Sequence, residues 1–238
     1  MIGLVELDVT EARKLLTAPG SEPLSMTAFL VACLARAAEQ SPEVHGYRDW
    51  CGRIIVHSFV DVTVLVEVPT PERPIAFPRV LRDAQTRSVA DLTAELRAAK
   101  GESFAGPPGR ILHRWGRAVL VIPGGRRLMY LAMARSVRIR QSIGTVAVTS
   151  VGMFGGGSGF AISPPTIMSL EMIVGGISIR PRYVDGEVVP REVVDVAIAV
   201  DHAVVDGAPA ARFVADLRRL VESASVLTTE DAGGGGAP

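Results

Sequence analysis

The 238-residue sequence has little of several features, and each shortage excludes a class of protein. Lysine plus arginine and aspartate plus glutamate cancel at 25 each, so the chain lacks the overall positive charge that favours nucleic-acid binding. Its apolar stretches are too short to span a membrane, and one is broken by Pro123-Gly124-Gly125-Arg126-Arg127. With 48% hydrophobic residues, the chain is expected to be globular, with neither nucleic acid nor a membrane as a partner.

Cysteine is also scarce. Cys33 and Cys51 form no CxxC pair and no metal-ligand spacing, which favours two buried free thiols in a reducing compartment. The first residues, Met1 to Glu6, lack the basic and apolar regions of a signal peptide. The sequence therefore predicts a cytoplasmic protein without a metal site.

Acidic residues are missing from one long interval. Between Glu102 and Glu171 there is none, whereas eight arginines occur there: Arg110, Arg114, Arg117, Arg126, Arg127, Arg135, Arg138 and Arg140. Two surface helices with arginine on the solvent side would account for this composition. An anion site for a phosphorylated cofactor, or a surface for an acidic partner, would account for it equally well.

Helical and strand patterns alternate along the chain, which predicts one α/β domain over residues 1–225. Helices are expected from Ser25 to Ser41 and from Ser88 to Gly101. The predicted strand regions are 53–68, 145–151, 173–179 and 194–200, with an Asp185-Gly186 hairpin turn before the last. Residues 69–78 are predicted to be irregular, about 103–141 to form an arginine-rich insertion, and 226–238 to form a disordered tail.

The segment Asp201-His202-Ala203-Val204-Val205-Asp206-Gly207 joins the last strand to a helix. Asp206 and Pro209 suit the N-cap and first turn of that helix. A histidine held at such a junction is well placed to move a proton. From spacing alone, a structural and a catalytic role for His202 remain equally open.

Other chemistries fit less well. The glycine-rich stretch 152–159 lacks the Lys-Ser/Thr of a phosphate-binding loop, and it leads to Ser163-Pro164-Pro165 where a dinucleotide loop would begin a helix. Phe160, two residues after Ser158, stands where the nucleophile elbow G-x-S-x-G needs its second glycine. His202 and Asp206 do not form a zinc motif such as HExxH.

The stretch from Asp201 to Leu220 resembles the DHxxxDG signature of dihydrolipoamide acyltransferases, the E2 components of 2-oxo acid dehydrogenase complexes. Chloramphenicol acetyltransferase shares this signature with variation. The run from Gly144 to Gly155 also resembles an E2 segment, as do Leu7-Asp8-Val9-Thr10 and the run from Gly175 to Pro181. The similarity covers roughly residues 7–100 and 142–222 in the family's order.

The resemblance implies an α/β two-layer sandwich with a mixed sheet, as in chloramphenicol acetyltransferase. It also implies homotrimers with the active site between subunits. His202 would be the general base that deprotonates the thiol of coenzyme A or dihydrolipoamide. Thr149, with Ser150 beside it, would donate a hydrogen bond to the oxyanion, and Asp206 would hold the loop.

Coenzyme A or acyl-CoA is the expected cofactor, and Arg126 and Arg127 are candidates for binding its phosphates. No lipoyl domain is expected in the chain, so a separate lipoylated protein would supply the dihydrolipoamide. Ala203 follows the histidine where most E2 proteins have arginine and the chloramphenicol enzymes have alanine. A non-catalytic trimeric scaffold and a small-molecule O-acetyltransferase therefore stay open as alternatives.

Overall fold

A mixed six-stranded sheet forms the centre of the computed structural model, which describes residues 1–20, 22–49, 51–68, 75–101, 124–125, 127, 143–151, 157–164 and 166–231. Its strand order is β1-β8-β7-β6-β4-β5. The strands are β1 (Ile2–Asp8), β4 (Val62–Val68), β5 (Ile75–Leu81), β6 (Val146–Ser150), β7 (Leu170–Val184) and β8 (Glu187–Val200). A separate two-stranded ribbon consists of β2 (Tyr47–Arg48) and β3 (Ile54–Ile55).

Helices cover one face of this sheet. They are α1 (Thr10–Leu16), α2 (Met26–Gln40), α3 (Val89–Gly101), α4 (Gly207–Ser223) and α5 (Ser225–Asp231). The central helix is α2, in which ten residues are buried and the Ser25 hydroxyl accepts a bond from Ala28 N–H at 3.4 Å. Helix α4 buries a single stripe, made of Ala210, Phe213, Leu217 and Val221, as its spacing predicts.

Strand pairing confirms the mixed sheet. β6 runs parallel to both β4 and β7, whereas the other neighbouring strands are antiparallel. The long β7–β8 hairpin turns at Asp185 and Gly186, which both have positive φ (50° and 92°), as a type I′ turn requires. The predicted hairpin is therefore confirmed.

The second face of the sheet, opposite the helices, we call the open face. Alternation along the strands places Val146 and Val148 toward the helices and Thr149 toward the open face. Large apolar side chains, including Leu4 of the edge strand β1 and Leu65 of β4, are exposed on the open face.

Several expectations need correction. The predicted strand over 53–68 is two separate strands, the two-residue β3 and the seven-residue β4, because Val60 between them bonds to Gln85 Oε1 and Ala84 N–H and not to a neighbouring strand. Part of the region predicted as irregular, 75–78, belongs to β5. Pro78 is tolerated there because β5 is an edge strand.

Two further predictions, the disordered tail and the burial of Cys51, also differ from the structure. Helix α5 occupies residues that were expected to be disordered, and its Val226 and Leu227 are buried against the core. The prediction of a tail from residue 226 is therefore wrong for 226–231, while 232–238 lie outside the described residues. Cys33 is buried as predicted, but Cys51 is exposed, and neither cysteine forms a disulfide. No helix in the described part of the chain is long and apolar enough to cross a membrane.

Candidate active site

His202 lies in the turn between β8 and α4. Asp201 organises this turn: its carbonyl accepts bonds from Val204 and Val205 N–H at 3.0 Å, and its carboxylate accepts one from Ala203 N–H at 2.9 Å. These bonds fix the backbone on both sides of the histidine. The aspartate before His202 therefore shapes the turn.

The imidazole is fixed by the backbone. His202 Nδ1 lies 3.0 Å from the carbonyl oxygen of Val205. Because a carbonyl oxygen can only accept, Nδ1 carries the proton of the neutral ring and Nε2 keeps a free lone pair. This is the protonation state that a general base requires.

Asp206 occupies the N-cap position of α4, as predicted, but its side chain makes no capping bond. Its Oδ1 lies 3.9 Å from His202 Nδ1, and both side chains are largely exposed (89% and 61%). At this distance the carboxylate provides an electrostatic partner for the imidazolium and does not hydrogen-bond to the ring. The Val205 carbonyl orients the ring instead.

A cavity of about 500 Å³ adjoins His202. It is lined by Met1, Ile2, Ser163, Thr166, Ile167, Met168, Glu171, Ala199, Val200, Asp201, His202 and Ala203. Sequence reasoning missed Glu171, which is buried in its wall. The available signal was a lone acidic residue inside the apolar strand run from Leu170 to Val174.

Thr149 lies near the carboxyl end of β6, where it lines a different cavity of about 700 Å³ together with Ser150, Val151 and residues from α2, α3 and β4. The ends of parallel strands are common places for ligands in α/β sheets. The Thr149 hydroxyl forms no bond with the described residues and is half-buried. It is therefore available to a ligand in this cavity.

Within one chain, Thr149 and His202 are far apart. Thr149 pairs with Ile173 on β7, and Ile173 pairs with Ala197 on β8. His202 follows Ala197 by five residues in the direction away from Thr149. At about 3.4 Å per residue along the strand and about 4.8 Å for each of two strand spacings, the separation is about 20 Å. A single chain therefore does not bring the two groups to one reacting atom.

A loop that contains Gly157 and Gly159 packs against β7 and β8 on the open face. Gly159 N–H donates to Asp195 Oδ2 at 2.7 Å, and Gly176 N–H donates to the Gly159 carbonyl at 3.0 Å. The loop can approach β7 this closely because Gly175 and Gly176 form a bulge without side chains. A Cβ on Gly175 would lie 2.2 Å from the Gly159 carbonyl oxygen, and a Cβ on Gly176 would lie 1.8 Å from the Gly157 carbonyl oxygen. These glycines are needed for close backbone approach.

Asp195 is fully buried on the open face, and its partner Arg180 links it to β1. Arg180 Nη2 lies 2.5 Å from Asp195 Oδ2, and the same guanidinium also pairs with Glu6. Arg182 makes a second ion pair with Glu6. This network ties β1, β7, β8 and the loop together.

Of the two arginines predicted to bind coenzyme A, Arg127 is the described one, and it lines neither cavity. Arg126 lies outside the described residues, and Arg127 is exposed. In the part of the chain that the structure describes, no group of three or more His, Cys, Asp or Glu side chains could hold a metal ion.

Comparisons with known proteins bear on this geometry. Residues 127–229, which include Thr149, His202 and Asp206, match the family model of the 2-oxoacid dehydrogenases acyltransferase catalytic domain. The predicted family resemblance is confirmed. The E2-like turn and helix around His202 thus lie inside the matched region.

Curated relatives are E2 components. The chain is 34% identical over 89 residues to the lipoamide acyltransferase component of the branched-chain alpha-keto acid dehydrogenase complex of Pseudomonas putida, covering 36% of this chain and 20% of that protein. It is 25% identical over 208 residues to the dihydrolipoyllysine-residue succinyltransferase component of the 2-oxoglutarate dehydrogenase complex of Haemophilus influenzae, covering 87% and 42%. The chain spans less than half the length of both relatives.

Solved structures confirm the fold. The dihydrolipoamide acetyltransferase of Azotobacter vinelandii superposes with a TM-score of 0.67 at 18% identity, covering 96% of this chain and 83% of that one. A chloramphenicol acetyltransferase gives a TM-score of 0.59 at 15% identity, covering 93% and 87%. The predicted two-layer α/β sandwich of the chloramphenicol acetyltransferase type is therefore confirmed.

Proposed function

We propose that this protein is a coenzyme A-dependent acyltransferase of the E2 type, which moves an acyl group between coenzyme A and a thiol such as that of dihydrolipoamide. The observation that carries the proposal is the His202 ring, whose Nδ1 faces the Val205 carbonyl so that Nε2 is a free base beside a cavity. The similarity to E2 components supports the choice of a thiol as the acceptor.

In the proposed reaction, His202 Nε2 removes the proton of the acceptor thiol. A free thiol has a pKa of about 8.5 and is mostly protonated at neutral pH, so a positioned base increases the thiolate. The thiolate attacks the thioester carbonyl, and a threonine hydroxyl donates to the resulting oxyanion. The intermediate then expels the original thiolate, which takes the proton back from the His202 imidazolium.

The active site assembles between subunits of a homotrimer in this proposal. The separation between His202 and Thr149 of one chain supports it, because the two groups can act together only if they come from different subunits. The exposed apolar side chains on the open face, such as Leu4 and Leu65, give the trimer a surface to bury.

Asp206 acts as a positioning residue. The Azotobacter vinelandii structure addresses the catalytic roles of a serine, a histidine and an asparagine, and that asparagine follows its histidine by four residues. Asp206 follows His202 at the same spacing, 3.9 Å from Nδ1. Its carboxylate would stabilise the imidazolium that forms during the reaction.

The substrates and location complete the proposal. Coenzyme A phosphates would contact Arg126 and Arg127, and a separate lipoylated protein would present the dihydrolipoamide. Charge reversal of both arginines should weaken coenzyme A binding or trimer stability, and no change in either would contradict this role. Cys33 and Cys51 form no disulfide, which supports a cytoplasmic location.

The test is release of free thiol with a panel of acetyl-, isobutyryl- and succinyl-CoA as donors and dihydrolipoamide as acceptor. We expect His202→Ala to abolish transfer and Thr149→Val to reduce kcat by about 10²–10³, with the oligomer intact in both. Ser150→Ala is the matched control, since Ser150 points to the other side of the strand, and it should retain most activity.

Other outcomes would identify other functions. Transfer to small hydroxyl compounds in place of dihydrolipoamide would favour an O-acetyltransferase. An intact oligomer with no acyl transfer to any acceptor would favour a non-catalytic scaffold. Transfer that survives His202→Ala would contradict the role of the histidine as base.

A further inference from the structure

Glu171 is a buried carboxylate in the wall of the His202 cavity, and neither the proposed transfer chemistry nor the sequence motifs use it. It is the second residue of β7, on the open face between Ala147 of β6 and Ala199 of β8. Only 6% of the residue is exposed. A carboxylate in such a place is costly unless its oxygens find donors.

One of its oxygens is already used. Oε1 accepts bonds from the Thr166 backbone N–H at 3.2 Å and from the Thr166 hydroxyl. Thr166 Oγ1 in turn accepts a bond from Met168 N–H at 3.1 Å, which holds this loop against the cavity. Oε2 accepts no bond from the described residues, and no lysine or arginine among them pairs with Glu171.

The charged groups lining the cavity give it an acidic character. Apart from His202 they are Glu171, Asp201 and the α-amino group of Met1. Asp201 is engaged with Ala203 N–H, and the α-amino group donates to the Val200 carbonyl at 2.9 Å. Glu171 is thus the buried carboxylate of this cavity, with Oε2 left as an acceptor, whereas Asp201 is exposed; no arginine or lysine among the described residues lines the cavity.

We propose that Glu171 selects the charge of the acyl acceptor that reaches His202. Acceptors with an N–H donor or a positive charge bind favourably, and acceptors with a carboxylate are repelled. This inference rests on the proposed function, because it assumes that the acceptor thiol meets His202 in this cavity. It defines the acceptor as a neutral or cationic thiol.

The experiment compares three thiols with the most active acyl-CoA donor: dihydrolipoamide, which is neutral, dihydrolipoate, which carries a carboxylate, and cysteamine, which carries an ammonium group. Glu171→Gln keeps an oxygen for Thr166 but removes the negative charge. We expect it to raise kcat/KM for dihydrolipoate relative to dihydrolipoamide by about tenfold, and to lower the relative value for cysteamine. The comparison of variant with native enzyme cancels the intrinsic reactivity of each thiol.

Two further variants separate charge from structure. Thr166→Val loses the loop contact but keeps the carboxylate, so it should change kcat/KM for all three thiols in proportion. Glu187→Gln removes an exposed carboxylate of β8 and should leave every ratio unchanged. Relative values for Glu171→Gln within twofold of native would overturn the inference. Transfer to none of the thiols by the native protein would overturn the proposed function, and this inference with it.

Discussion

Replacing the buried carboxylate Asp195 should destabilise the fold far more than replacing a surface one. Asp195 is fully buried, lies 2.5 Å from Arg180 Nη2 and accepts from Gly159 N–H at 2.7 Å. Asp195→Ala leaves the Arg180 guanidinium, itself only 22% exposed, with one carboxylate partner instead of two. Breaking a buried pair from one side costs about 3–5 kcal/mol. Because Glu6 still pairs with Arg180, we expect about 3 kcal/mol.

Asp216→Ala is the matched control. Asp216 forms an ion pair of similar length with Arg219, 2.6 Å, on the exposed side of α4. Exposed pairs of this kind contribute about 0–1 kcal/mol. The measurement is the free energy of unfolding in urea for the native protein and both variants. A loss below about 1 kcal/mol for Asp195→Ala, or equal losses for the two variants, would refute the reasoning.

Two other predictions concern pH and backbone approach. Burial, with a smaller contribution from the charge of nearby His57, lowers the pKa of His45 from 6.5 to about 4. Since the unfolded chain binds this proton more tightly, stability should fall as pH drops from 6.5 to 4, by about 3 kcal/mol in full. Urea unfolding of the native protein and His45→Asn between pH 4.5 and 7.5 checks this, and an identical pH dependence would contradict it. Gly176→Ala places a Cβ 1.8 Å from the Gly157 carbonyl and should cost about 2–3 kcal/mol by the same assay. Gly3→Ala is the control: its Cβ would lie 4.0 Å from the Ile198 carbonyl oxygen, and its effect on the free energy of unfolding should be close to zero. An equally small effect of Gly176→Ala would show that the loop does not need the glycine.

Local patterns predict much of this fold because the signals act over a few residues. The Ser25 cap, the Asp185-Gly186 turn and the apolar stripe of α4 each depend on neighbours in sequence. The junction that holds His202 is predicted for the same reason. The Val205 carbonyl that orients the ring is only three residues away.

Long-range contacts explain what the sequence did not predict. Asp195 bonds to Gly159, 36 residues away in sequence, and Glu171 lies in the wall of the His202 cavity because β7 pairs with β8. The periodicity of apolar residues in the sequence carries no signal for such contacts. The ordered chain extends beyond the predicted domain end at residue 225 because Val226 and Leu227 pack into the core that the other helices form. The distance between Thr149 and His202 likewise follows from strand order, which local patterns leave open.

The central claim is that His202 of one subunit works with Thr149 of another. Subunits of His202→Ala, which is expected to be inactive, and of Thr149→Val, which is expected to keep about a hundredth of the native kcat or less, can be mixed in equal amounts, unfolded and refolded into trimers. If the active site lies between subunits, roughly a quarter of the sites pair an intact His202 with an intact Thr149. Acyl transfer to dihydrolipoamide should then recover to about a quarter of the native rate. No recovery in trimers that contain both variants would contradict the account, because it would mean that both groups must come from one chain.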